Sequence, residues 1–110
     1  MKIEKTGNIS CVSDINGDLV SFYMKLTHEI KSFENQHIIV DLLSFKKLIN
    51  KQIEAFSFLS KIHKKTKKSF VIIAENIDYN AISFELSVVP TKAEAFDIIE
   101  MENIERDLGF

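Results

Sequence analysis

Apolar residues run together twice along the chain and recur at helical spacing in three further stretches, and these five segments set the expected fold. The first run, His37 to Leu43, is apolar from Ile38 onward except for Asp41. It is too short for a helix and lacks the alternation of a half-wet strand, so it predicts a strand covered on both faces, parallel and central. Ser69-Phe70-Val71-Ile72-Ile73-Ala74 repeats the pattern. Between the two runs, Asn50 is placed to cap a helix whose apolar face is Ile53, Phe56, Leu59 and Ile62. Strand, helix and strand of these lengths make a βαβ unit, with parallel strands and a right-handed crossover.

Upstream, Leu19, Phe22 or Tyr23, Leu26, Ile30 and Phe33 form one stripe on a helix expected from Asp18 to Phe33. Asp18 or Asn16, in the turn Asn16-Gly17-Asp18, can cap it. Residues Met1 to Asp14 alternate loosely around Gly7-Asn8, which suits two short strands in a hairpin or one edge strand with a turn. Glu75 to Glu85 is short and rich in turn formers, with room for a couple of helical turns at most, and its conformation stays open. Leu86 to Pro90 reads as a further strand, stopped by a proline that cannot donate to a ladder. Thr91-Lys92-Ala93-Glu94 then matches a capping box opening a final helix. Ala93, Phe96, Ile98 and Ile99 make its first turns apolar nearly all round, which places Phe96 and Ile99 in the core. Beyond Glu100 only Met101, Ile104 and Leu108 remain, along one narrow line. The helix is therefore expected to run on past the body of the domain, with Glu102 and Arg106 pairing on an exposed surface.

Composition narrows the class. The chain of 110 residues suits one domain, residues 1–110, with 45% apolar and 27% charged residues and little Gly or Pro to make linkers. No apolar run approaches the roughly 20 residues that span a bilayer. The N-terminus has no continuous hydrophobic segment of a secretory leader, and the lone Cys11 can form no internal disulfide, so a reducing, cytoplasmic setting is expected. Charge is unevenly distributed although the net value is only -2. Lys46 to Lys68 holds eight lysines against Glu54, and Thr91 to Phe110 holds six acids against Lys92 and Arg106. Lys61, Lys64, Lys65, Lys67 and Lys68 fall at or just beyond a helix C-terminus, where cations complement the dipole, so a solvated surface is the favoured reading.

Little in the chain carries chemistry. It contains no nucleophile elbow, Walker loop or dinucleotide glycine motif, and its three glycines are scattered. His28, His37 and His63 lack metal-ligand spacing and read as surface or strand-end residues; neither metal nor cofactor is expected. Asp41, the acid inside a buried run, reads as a half-buried strand-end carboxylate bonded to loop amides ahead of a general base. The loop after the central strand, Leu43 to Gln52, is where an α/β protein usually makes its contacts, so Lys46, Lys47, Asn50, Lys51 and Gln52 are the candidate partner-binding residues.

The order of elements, together with Ile38-Ile39-Val40-Asp41-Leu42, Ser69-Phe70-Val71-Ile72-Ile73 and Val88-Val89-Pro90-Thr91-Lys92-Ala93-Glu94-Ala95, resembles the STAS family. That family includes antagonists of anti-sigma factors and the cytoplasmic domains of sulfate transporters. The tail Met101 to Gly109 is similar to that of a small bacterial subgroup of STAS-like proteins, some of them labelled ribonuclease Z. The resemblance implies an α/β, STAS-like (SpoIIAA-like) domain with a small, mostly parallel β-sheet and α-helices. Phosphoswitch members carry Asp-Ser-Ser-Gly where this chain has Ile49-Asn50-Lys51-Gln52, so the phosphoacceptor position is Lys51 and the switch is expected to be lost. The segment Glu75 to Glu85 is also shorter than the family's helix-bearing stretch. A nuclease of the labelled kind needs a His-rich ligand set with Asp, and three isolated histidines do not provide it.

Three functional readings follow. The first is a non-catalytic protein-interaction domain, a degenerate anti-sigma-factor-antagonist-like regulator whose partner is a protein such as an anti-sigma-like regulator. The second is an oligomerisation or scaffold role, with Met101, Ile104 and Leu108 docking a partner or a second copy. In the competing structural reading, that stripe folds back on its own chain. Nucleic-acid binding through the lysines is the weakest, because no aromatic residues interleave with them in the pattern of an RNA-binding motif.

Overall fold

In the computed structural model, which describes residues 1–109, the strands β1 (Lys2–Thr6), β2 (Ile9–Ser13), β3 (His37–Asp41), β4 (Phe70–Ile73) and β5 (Ser87–Val89) form one sheet. Spatial order equals chain order, β1-β2-β3-β4-β5. β1 and β2 are the antiparallel hairpin, with Thr6 opposite Ile9, and Gly7 supplies the positive φ that the two-residue turn needs. The pairs β2–β3, β3–β4 and β4–β5 are parallel, so β3 is the central strand, as the apolar run implies. The result is an α/β fold with a five-stranded, mostly parallel sheet.

Alternation along the strands feeds two cores. Val12, Ile38, Val40, Phe70 and Ile72 face one side, where Phe22 and Leu26 of α1 (Leu19–Glu29) and Ile30 and Phe33 of the following 3₁₀ turn cover them. The same layer receives Ile53 from α2 (Asn50–Glu54) and Leu59 from α3 (Ser57–Lys64), with Phe56 between them. Cys11, Ile39, Val71 and Ile73 face the other side and are closed off by Ala95 and Ile99 of α4 (Lys92–Asp107). Asp18 caps α1 by accepting from the Ser21 amide at 3.1 Å, and Thr91 caps α4 by accepting from the Glu94 amide at 3.2 Å.

Several expectations need correction. Asn50 does not cap the helix after β3: it is the first helical residue, Ile49 occupies the cap position, and Gln52 Oε1 takes the Ile49 amide at 2.9 Å. Nor is that helix continuous. Ile53, Phe56 and Leu59, all essentially inaccessible, recur every three residues. An α-helix would rotate their face by about 60° per step. A tightened turn, with the Phe56 amide on the Ile53 carbonyl at 3.0 Å, keeps all three on the sheet and splits the segment into α2 and α3. β3 ends at Asp41 rather than Leu43, because the Asp41 carboxylate takes the Leu43 amide at 2.9 Å and turns the chain.

In α4 the fully buried positions are Ala95 and Ile99, while Phe96 is only half-buried, since a spacing of four keeps residues 95 and 99 over the sheet. The second half of α4 does not leave the body. It stays attached through Glu102 and Arg106, which follow Ile99 at spacings of three and four on the same face. Met101, Ile104 and Leu108 point the other way, at 60%, 53% and 66% exposure, so the reading in which they fold back on their own chain is incorrect. Glu75 to Glu85 holds one 3₁₀ turn, Tyr79–Ala81, opened by Asp78.

The two sides of α4 predict opposite behaviour under denaturant. Ile99→Ala should lower unfolding stability by about 2–4 kcal/mol, as for a buried aliphatic truncation. Ile104→Ala should stay within about 0.5 kcal/mol of the parent chain. Urea melts on the two variants measure both.

Candidate functional site

The loops that follow β2, β3 and β4 all emerge at one end of the sheet, and the hydrogen bonds there fix their shape. After β2, the Asp14 carboxylate gathers the amides of Gly17 and Asp18, with Gly17 at φ 73°. Desolvation acts to raise the Asp14 pKa, but the surrounding backbone amides together hold it below its ordinary value. After β3, the Asp41–Leu43 bond and a Phe45 amide to Leu42 carbonyl bond of 3.0 Å lead into Lys46 and Lys47. After β4, the Tyr79 hydroxyl donates to the Ala74 carbonyl at 2.6 Å, and Asp78 accepts from the Asn80 amide at 3.1 Å. The second and third loops are joined: Asn50 Nδ2 donates to the Asp78 carbonyl at 3.0 Å, and Lys46 Nζ lies 4.0 Å from the Glu75 carboxylate.

The residues singled out from the sequence sit together on this edge. Lys46, Lys47, Lys51 and Gln52 are exposed and Asn50 is half-buried. Ile49, which the sequence reading left aside, projects among them at 59% exposure. The outcome is a basic surface with an apolar tip on backbone held by neighbouring loops. Asp41 is half-buried and bonded to a loop amide, matching the structural reading of this residue. Its carboxylate, and those of Asp14 and Asp78, are occupied in turn geometry rather than aimed into a cleft.

A second polar cluster lies at the opposite end of the sheet, and sequence reasoning missed it. His37 Nδ1 accepts from the Ser69 amide at 2.9 Å. The Ser69 hydroxyl donates to Glu102 Oε1 and accepts from Arg106 Nη2 at 2.9 Å, and Arg106 also bonds Asn103 at 3.0 Å. His63 Nε2 lies 2.7 Å from the Gln36 carbonyl, so its proton sits on that nitrogen. Burial, then the positive charges of Arg106 and Lys68, depress the His37 pKa to about 4, and burial lowers that of His63 as well. Both imidazoles are neutral near pH 7. The legible signal was helical phase: Glu102 and Arg106 continue the buried face of Ala95 and Ile99, which the even charge of the helix tail disguised as a surface pair. Because Ser69 Oγ bonds α4 and its amide bonds β3, the cluster clamps the last helix to the sheet.

Among the described residues, no group of three or more His, Cys, Asp or Glu side chains is arranged to hold a metal ion. Cys11 is a buried thiol whose pKa burial pushes up, and His28 is exposed on α1. No helix among the described residues is long and apolar enough to cross a membrane. No family model matches the chain, and no curated protein matches it.

The His37 environment sets an acid limit on stability. Its folded-state pKa lies below the ordinary 6.5, so between pH 6.5 and about 4 the unfolded chain takes up a proton that the folded chain refuses. The contribution is fully present above pH 6.5 and lost as pH falls through that window, by up to about 3 kcal/mol. Denaturant midpoints measured from pH 7 to pH 4 should fall accordingly. His37→Asn, whose Oδ1 can replace Nδ1 as acceptor for the Ser69 amide, should flatten the fall.

Proposed function

We propose that the chain is a non-catalytic protein-interaction domain, a degenerate relative of the anti-sigma-factor antagonists that binds its partner without phosphorylation control. The observation that carries this reading is the projection of Lys46, Lys47, Ile49, Lys51 and Gln52 into solvent from loops bonded to one another. A preformed surface loses little conformational entropy on binding, and an apolar residue ringed by lysines suits a partner with an acidic rim around an apolar socket. The STAS resemblance places the phosphoacceptor position at Lys51, which has no hydroxyl.

Exposure of Met101, Ile104 and Leu108 favours a second reading, an oligomerisation or scaffold role through α4. The two readings use different surfaces and are separable by mutation.

Immobilised protein with native lysate, read by mass spectrometry, tests the first reading. A partner retained by the parent chain and by Ile104→Asp, but lost with Ile49→Asp and with Lys51→Glu, supports it. Equal retention by all four proteins rejects the loop as the contact. Incubation with an anti-sigma kinase and ATP should add no phosphate to the segment Leu43 to Gln52, checked by intact-mass spectrometry and peptide mapping. Phosphate on Ser44 would overturn the lost switch.

A further inference from the structure

The outward face of α4 and the outward face of α3 are complementary in charge and both carry uncovered apolar side chains. On α4 the inward line, buried Ala95 and Ile99 followed by half-buried Glu102 and Arg106, fixes the helical phase, and the opposite line is Asp97, Met101, Ile104 and Leu108. Glu94, Glu100, Glu105 and Asp107 flank it and are exposed, so five acids in all surround three apolar side chains. On α3, Leu59, Ser60 and His63 are buried, which turns Phe58, Lys61 and Lys65 outward. Between α3 and the segment after the 3₁₀ turn lies an open groove of about 580 Å³, lined by Ser57, Ser60, Lys61, Lys64, Lys65, Glu85 and Leu86. Lys61 and Lys64 both reach Glu85, at 3.7 Å to its carboxylate and 2.9 Å to its carbonyl, which leaves the groove with net positive charge. Phe84, next in the chain to Glu85, is 96% exposed.

We infer that the groove beside α3 takes the outward face of α4 from a second copy of this chain. The inference rests on the second reading above and adds the receiving surface. The chain's own α4 cannot be the occupant, because α3 and α4 cover opposite faces of the sheet and the stripe on α4 faces away from the body. Met101, Ile104 and Leu108 lie against Phe84 and Phe58, and the flanking acids meet Lys61 and Lys65. The donor and acceptor surfaces differ, so the contact is heterologous: each added copy leaves one groove and one helix open, giving a closed ring or a growing chain of copies.

The test is sedimentation velocity with light scattering on the full chain over a concentration series. The expected result is a mass that rises with concentration at low salt and falls on adding sodium chloride, which screens the lysine–acid contacts. Ile104→Asp and Phe84→Asp should each weaken self-association by about tenfold or more. Mixed together, these two variants should form a one-to-one dimer and nothing larger, because one brings an intact groove and the other an intact helix. Lys65→Glu, a change at an exposed site, serves as the groove variant should Phe84→Asp fail to fold, which circular dichroism reports. Association that is lost with Ile104→Asp but untouched by either groove variant overturns the groove while sparing α4 as an interface. A parent chain monomeric at every concentration overturns both, and a mixture of variants that forms no complex overturns the head-to-tail arrangement.

Discussion

The fold depends on burial of β3 from both sides. Ile38, Ile39 and Val40 are each inaccessible to solvent, the first and third beneath α1, α2 and α3 and the second beneath α4. Each such side chain contributes on the order of 2–3 kcal/mol when taken from water to a close-packed interior. Neighbours on both edges satisfy the strand's amides and carbonyls, so little backbone polarity is left unpaired by this placement. A polar substitution at Ile39 would disturb the α4 layer, and one at Ile38 or Val40 the opposite layer. The strand is thus the shared floor of two cores that otherwise touch only through the sheet.

What could be read from the chain is what local chemistry writes. The double burial of β3 and β4 was visible in runs without alternation, and the stripes Leu19–Phe22–Leu26–Ile30–Phe33 and Ile53–Phe56–Leu59 named residues that cover one face, whereas Ile62, read into the second stripe, is half-buried outside both cores and His63 is buried beside it. Asp18 and Thr91 cap their helices because a short oxygen-bearing side chain precedes each apolar stripe. Pairings that depend on tertiary distance were not visible. Asn50 has the chemistry of a cap, yet the Asp78 carbonyl, 28 residues away in the chain, claims its side chain. The break between α2 and α3 follows from a three-residue apolar recurrence that tolerates either a rotating α-helix or a tightened turn. The candidate loop was legible in position and in its lysines, but Ile49 at its centre was passed over, because a single apolar residue ahead of a helix makes no pattern.

The sheet has two polar ends with opposite character. At the end where β2, β3 and β4 give way to loops, side chains bond backbone amides to shape turns, and the lysines and Ile49 are left facing water. At the other end, His37, Ser69, Glu102 and Arg106 bond one another across elements distant in sequence. A hydroxyl that donates to a carboxylate while accepting from a guanidinium fixes the position of α4 along the sheet more narrowly than apolar contact alone would, because hydrogen bonds are directional and apolar contact is not. That arrangement holds the tail of α4 down along one face and so leaves the opposite face, with its acids and apolar stripe, unburied.

The identity of spatial and sequential strand order has a kinetic consequence. Every pairing in the sheet joins strands consecutive in the chain, so none waits for a strand further along, and β1–β2, β2–β3 and β3–β4 can form in the order in which the residues leave a ribosome. The clamp between α4 and Ser69 spans 33 and 37 residues, much as Ile38 and Phe70 of the β3–β4 pair span 32, but its far side follows all five strands in the chain. Until that segment arrives, Cys11, Ile39, Val71 and Ile73 have no helix over them. During synthesis, then, one side of the nascent sheet is finished well before the other, and the uncovered side is the one a chaperone would meet.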